Sequence, residues 1–463
     1  MTDQRPLVRI VHLGLGAFFR AHACTYLQDI GGWGVLGISL RSPAVRDALQ
    51  ARDYRYTAAA LTPDGVELRE IDVVRRVLVA PEDPVAVIAA MADPAVSIVS
   101  LTVTEKGYCH DPATGALNLD HPVIQADIEN PLPQSAPGFV VRGLQARRAK
   151  GLHPFTVMSC DNLPDNGALI RKITIDLARL IDPALAEWIT IEGAFPTSMV
   201  DRIVPATTPE DVIKIATISG KPDAAPVLHE PFKQWVITDD FTESRPDFET
   251  AGVQITRNIE PFENMKLRTL NGAHSAIAYL GLLSGFKAVA DAVADPTLAT
   301  YLTHLWENEI IPTLTAPPDT DLKEYTAALL IRFANTGIQH QLSQIGMDGS
   351  QKLPQRFLGT IRDQLDRNGD VSALLLAVAA WIKYTSNVSE CDDPMAKVLR
   401  KCHMPDPKQT VANILAQRAI FPQDIALEIQ RPLKQIYAEL SNVGASEMLK
   451  QYQPVRQLHN NAI

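Results

Sequence analysis

A chain of 463 residues is too long for one ordinary hydrophobic core, so two domains are expected. Apolar residues make up 46% and charged residues 21%, the balance of a soluble globular protein. The formal net charge of −10 argues against a nucleic-acid partner, which needs a basic face, but leaves room for an anionic small molecule held by local Lys and Arg.

No apolar run has the length needed to cross a bilayer, so no membrane partner is expected. Residues 1–9 are short and polar and lead directly into a strand-like segment, without the features of a signal peptide; a cytoplasmic location is expected. Cys24, Cys109, Cys160, Cys391 and Cys402 form an odd set with no C-x-x-C pair, which predicts reduced thiols. The Cys402–His403 pair is too isolated to suggest zinc, and no metal is expected.

In chain order, residues 8–13 (VRIVHL), 35–40, 97–103 and 155–159 read as buried strands, with 189–195 as a fifth. Helical segments at 21–29, 43–52 and 84–91 sit between several of them. A loop-rich stretch, 107–137, is followed by a basic helix near 141–150. Apolar strands alternating with helices predict an α/β domain of Rossmann type with a mostly parallel sheet. From about residue 261 the period becomes helical, at 265–283, 289–311, 322–335, 371–384 and 423–440, with breaks such as Thr315-Ala-Pro-Pro318. The expected organisation is a dinucleotide-binding domain over 1–257 and an all-helical domain that binds substrate over 258–463.

Gly14-Leu15-Gly16-Ala17-Phe18-Phe19 follows the first strand and opens a helix, the setting of a phosphate-binding turn. The first Gly permits a tight turn and the second lets the backbone approach a pyrophosphate, while Phe19 stands where a third Gly is usual. The second strand ends Ser39-Leu40-Arg41-Ser42, with no acid for an adenosine ribose. Arg41 fits a contact with a ribose 2′-phosphate, a stack on adenine, or a solvated loop cation.

The densest chemistry lies in residues 266–275. On an α-helix, at about 100° per residue, Asn271 falls about 140° and His274 about 80° from Lys266. Three polar groups can therefore face one cleft. A Lys of lowered pKa can move the proton that accompanies hydride transfer to a carbonyl. Asn amides can donate to the oxygen that gains charge, and His can orient hydroxyl groups. The plainer alternative is a helix with a snorkelling Lys and a capping Asn. A second cluster, Ser159–Gly167, follows the fourth strand, where open α/β sheets bind ligands, although its Asn and Asp also suit a turn.

These residues resemble the polyol-specific long-chain dehydrogenases, the mannitol dehydrogenase family. The resemblance rests on GLGAFFRAH (Gly14–His22), SLTVTEKGY (Ser100–Tyr108), SCDNLPDNG (Ser159–Gly167), FPTSMVDRIVP (Phe195–Pro205), EPFKQWVITDDF (Glu230–Phe241) and KLRTLNGAHS (Lys266–Ser275), six matches in order over nearly the whole chain. It implies an enzyme that interconverts a sugar ketone and its alcohol with NAD and without metal, Lys266 being the general acid/base. It also implies that Asn162 and Asn271 bind the reacting oxygen, that His274 contacts substrate and that Glu105 serves proton passage, with Asp201 an acid near the site. Lys106 and Arg202 are further candidates for substrate binding, and Gly14, Gly16, Ala17, Phe18, Arg41, Thr102 and Asn162 for the cofactor. Ser42, where some members carry an acid, leaves NADP open.

Within the family, the segment Met347–Arg356 (MDGSQKLPQR) looks like the branch acting on hexuronates, D-fructuronate and D-mannonate. Lys352 and Arg356 are then candidates to bind the substrate carboxylate. D-mannitol/D-fructose or another polyol is the second expectation, and a catalytically silent sugar- or cofactor-binding protein the third. A monomer or small homo-oligomer is expected.

Overall fold

In the first half, five strands with almost uninterrupted apolar sequence pair in parallel: β1 (Val8–Leu13), β2 (Gly34–Ser39), β3 (Val74–Val79), β4 (Ile98–Leu101) and β5 (Thr156–Ser159). Their spatial order is β3-β2-β1-β4-β5. The pleat sends alternate residues to opposite faces. Val11, Leu13, Val99 and Leu101 enter one core, and Ile10, Val35, Ile98 and Met158 enter another. Both faces are covered, which is why these strands lack polar alternation. The edge strand β3, VRRVLV, carries a half-buried Arg75 and an exposed Arg76, a composition that suits an edge and hides it from a search for apolar runs.

The computed structural model describes residues 5–111, 114–386 and 391–452. The chain divides into two compact units, Met1–Ile259 and Glu260–Ile463. Two small sheets complete the first: Tyr56–Thr62 pairs with Gly65–Ile71 and Val227–His229, and Gln234–Thr238 pairs with Ser198–Asp201 and Gln254–Thr256. The strand expected at 189–195 is not one. Residues Pro183–Glu192 form a helix whose start is set by Pro183 and by the Asp182 carboxylate, which accepts from Ala184 N. A strong helix start outweighs the β-branched residues that follow it, and the strand begins only at Ser198. The helix expected at 21–29 is two helices, α1 (Ala17–Ala21) and α2 (Ala23–Ile30), broken at His22.

The second unit is helical, with one isolated bridge (Ala288 to Gln341) and no strand among the described residues. Its centre is α3 (Gly272–Leu283) and α4 (Ser372–Tyr384), buried on nearly every side and rich in Ala, which lets neighbouring backbones approach closely. Among the described residues no helix is long and apolar enough to cross a membrane. All five cysteines are free thiols.

Candidate active site

In the first unit, β1 delivers the chain to Gly14 at φ +88°, and a Cβ there would stand 2.3 Å from Thr102 O at the end of β4. Only glycine permits that approach. Gly16 differs: an added Cβ would meet just one atom within 4 Å, Gly14 O at 3.7 Å. The fold does not require glycine at this point, so its bare backbone leaves the open side of the turn accessible to a ligand. Phe19, in place of a third glycine, lies flat on His12 of β1 with ring centroids 3.3 Å apart. A stacked pair of rings thus provides the helix–strand packing that a glycine usually allows. Ala17 and Phe18 are part-buried in α1, Phe18 stacking on His22, and Arg41 is exposed beyond the tip of β2.

The loops after β4 and β5 are joined by Asp161. Its carboxylate accepts the amides of Val103 (3.0 Å) and Thr104 (2.9 Å) and the Tyr108 hydroxyl (2.8 Å). Burial pushes the acid upward in pKa while these three donors oppose the shift. Thr104 sits at φ +64°, ψ 165°, a region that costs a residue other than glycine about 1–3 kcal/mol and needs surroundings that enforce it. The short 3₁₀ turn Glu105–Tyr108 follows, and Glu105 and Lys106 are exposed on it. Asn166 ties the far end of the second loop, donating to Asp161 O and Ser198 O and accepting from Ser198 N, so that Asn162 projects from a segment fixed on both sides.

Asp201 is buried in the Ser198–Asp201 strand. Arg202, a candidate for substrate binding, instead ties elements of the fold together: its guanidinium donates to Ala21 O, Thr25 Oγ1, Glu230 O and Pro231 O.

In the second unit, the segment read as continuous α-helix opens into a π turn over Lys266–Asn271. Gly272 N donates to Leu267 O, five residues back. A π turn needs more residues per revolution than an α turn, so Asn271 comes closer over Lys266 than α geometry predicts. Arg268 points to Asp363 and Thr313 and anchors the turn from another side. Lys266, Asn271 and His274 are all buried, at 7%, 8% and 7% exposure.

A second π turn, Pro354–Leu358, begins at a proline that cannot donate to the helical ladder, and it carries Arg356. Arg356 Nη1 donates to Ser275 Oγ (2.8 Å) and Asn271 O (3.3 Å). Lys352 Nζ donates to Met347 O and Ile345 O. The His274 Nε2 atom is buried with no hydrogen-bond partner among the described residues, and the ring packs on Phe333 and, edge-on, on His340. Burial, then His340, Arg356 and Arg332, hold its pKa well below the usual histidine value, so the imidazole is neutral. The guanidinium groups of Arg356 and Arg332 act on it in the same direction as burial.

Asp161 and Asn166 stood out only as members of the Ser159–Gly167 cluster, with a turn as the equal alternative, and the parts of Tyr108 and His12 escaped the sequence reading because buried and solvated polar residues look alike in a sequence. Arg332 and His340 escaped it because they lie 58 and 66 positions beyond His274.

A parallel sheet whose first turn exposes bare backbone, together with a helical unit that buries an amine, an amide and a neutral imidazole, describes an oxidoreductase of Rossmann type. Residues 8–250 match the Mannitol dehydrogenase Rossmann domain and residues 258–441 the Mannitol dehydrogenase C-terminal domain. The chain belongs to the mannitol dehydrogenase family, oxidoreductases acting on CH–OH groups. It is 41% identical to the D-mannonate oxidoreductase of Escherichia coli, over 95% of this chain and 94% of that one. It is 38% identical to a mannitol 2-dehydrogenase of Phaeosphaeria nodorum, over 97% of this chain and 83% of that one. A solved Pseudomonas fluorescens mannitol 2-dehydrogenase, in ternary complex with NAD and D-mannitol, superposes with a TM-score of 0.86 at 36% identity, covering 97% of this chain and 94% of that one.

Proposed function

We propose that this protein is an NAD(H)-dependent hexuronate reductase, interconverting D-fructuronate and D-mannonate, in the cytoplasm. The observation that carries the choice of substrate is the Arg356 guanidinium, which acts on His274 and donates to Ser275 Oγ and Asn271 O at the same turn. A substrate carboxylate would accept charge-assisted hydrogen bonds from that guanidinium, whereas a neutral polyol would offer it only hydroxyl groups. NAD in its reduced form would supply the hydride. Gly14, Gly16, Ala17 and Phe18 would hold the dinucleotide, with Thr102 beside them. Lys266 would give a proton to the carbonyl oxygen on reduction and take it back on oxidation. The amides of Asn162 and Asn271 would donate to that oxygen as charge develops on it. His274, neutral, would bind a substrate hydroxyl through Nε2, and Arg356 and Lys352 would bind the carboxylate.

Oxidation of D-mannitol is the second reading, supported by the likeness to the P. fluorescens structure and the P. nodorum relative. Initial rates with D-fructuronate and D-fructose, each with NADH and NADPH, separate the two. The uronate is expected to lead in kcat/KM by at least about a hundredfold, a pair of charge-assisted hydrogen bonds being worth that much. Arg356→Ala should raise KM for the uronate about tenfold or more and barely change KM for fructose. Equal changes for both substrates would remove the carboxylate assignment, and NADH binding without turnover on any sugar would mark a binding protein.

A further inference from the structure

Resting on the dinucleotide-binding reading of the first unit, we infer that His12 is a positioning residue that sets the cofactor turn through a one-way relay of hydrogen bonds. His12 is fully buried in β1, two residues before Gly14. Its Nδ1 lies 2.9 Å from Ser100 Oγ and its Nε2 2.9 Å from Thr102 Oγ1. Thr102 Oγ1 in turn lies 2.9 Å from Gly14 O. A carbonyl can only accept, so the single Thr102 hydroxyl proton goes to Gly14 O. Thr102 Oγ1 must then accept from His12, which fixes the proton on Nε2. Nδ1 is left as an acceptor, and Ser100 donates to it.

The relay runs Ser100 to His12 to Thr102 to Gly14 with no freedom of direction. Burial drives the imidazole pKa down to about 3, so the ring is neutral, as the relay requires. The Phe19 ring, parallel to within 10°, keeps the imidazole from rotating.

The effect falls on one peptide plane. Gly14 N and Leu15 N both donate to Ile38 O of β2, while Gly14 O accepts from Thr102 and from Gly16 N. The turn is held between β2 on one side and the end of β4 on the other, and the space that a side chain at Gly16 would fill stays open. An imidazole between two hydroxyls inside an apolar sheet is costlier to bury than an apolar side chain. What the polar group adds is the orientation of a single carbonyl in the turn.

The test uses the full-length protein and NADH. Fluorescence titration and steady-state rates with D-fructuronate would be measured for wild type, His12→Phe, His12→Gln, Thr102→Val and the double variant His12→Phe/Thr102→Val. His12→Phe keeps a ring against Phe19 but cannot donate. It should weaken NADH binding and raise KM for NADH by about tenfold, the worth of one buried hydrogen bond, with kcat at saturating NADH and KM for the sugar nearly unchanged. His12→Gln, whose amide can still reach Thr102, should stay within about threefold of wild type. Thr102→Val should lose as much as His12→Phe, and the double variant no more than either single change.

Unchanged NADH affinity in His12→Phe, or His12→Gln as weak as His12→Phe, would overturn the inference, as would a fall in kcat with KM intact. If His12→Phe does not fold, the contrast between His12→Gln and Thr102→Val decides alone. A wild-type protein that fails to bind NADH sinks the dinucleotide reading and this inference with it. Wild-type binding with a silent His12→Phe sinks this inference only.

Discussion

The two units hold their functional groups by opposite means. In the sheet unit the groups are largely backbone, presented at strand ends and fixed by buried acceptors: Asp161 takes two loop amides and a phenol, and Gly14 O takes Thr102 and Gly16. In the helical unit they are side chains, Lys266, Asn271 and Arg356, carried on two stretches where the α ladder widens into a π turn. The physical reason lies in the elements. Strand ends release main-chain groups from their ladder, whereas helices satisfy nearly all of theirs internally and offer side chains, which a π turn re-aims without ending the helix. The contrast fits the proposed division of labour, in which the first unit would hold the dinucleotide and the second would perform proton transfer.

Lys266→Ala probes that division hardest. On the proposed roles, removing this amine should lower turnover about a thousandfold, while NADH affinity stays within about twofold. Stopped-flow rates and fluorescence titration on the same preparation read both. A parallel loss of NADH affinity would mean that the two roles are not divided in this way.

Asp161→Asn is the matching change in the sheet unit, and its effect should be on stability and local opening. Asn offers one acceptor oxygen where the carboxylate serves three donors, and it turns an NH₂ toward an amide. A loss of about 2–3 kcal/mol in unfolding free energy is expected, with faster hydrogen exchange at the Val103 and Thr104 amides. Unaltered exchange there would show that the strained Thr104 backbone is held by something other than this carboxylate.

The same contrast explains what could be read from sequence. Strands buried on both faces declare themselves as apolar runs, so β1, β2, β4 and β5 were legible, whereas β3, an edge strand with Arg75 and Arg76, was not. Lys266, Asn271 and His274 were legible as a set because they lie within one segment. The π turn that carries the first two was not, since sequence periodicity carries no record of a bond five residues long. Least legible were groups whose partners are distant in sequence: His12 with Ser100, Tyr108 with Asp161, and His274 with His340. Neither composition nor spacing tells a solvated His or Asp from one enclosed by a fold.

Among the described residues of the helical unit, Glu309 is the carboxylate that behaves as Asp161 does, and it gives the smallest predicted effect and the most direct comparison. Glu309 is fully buried, and its two oxygens accept from Ala373 N and Leu374 N at the start of α4. Burial raises its pKa from 4.5 to about 8, against the pull of those two amides. Between these values the folded protein holds a proton that the unfolded chain has released. Folding therefore takes up a proton, and the stability from this group, complete below about pH 4.5, is lost as pH climbs through about 8. The slope cannot exceed about 1.4 kcal/mol per pH unit, and other titrating groups will overlay it. Glu309→Gln removes the titration, so the difference in melting temperature between wild type and variant should change steadily from pH 5 to pH 8 and level off above. A difference that stays constant with pH would show that Glu309 is already ionised at pH 5, with the two α4 amides outweighing burial as the dominant influence on the acid.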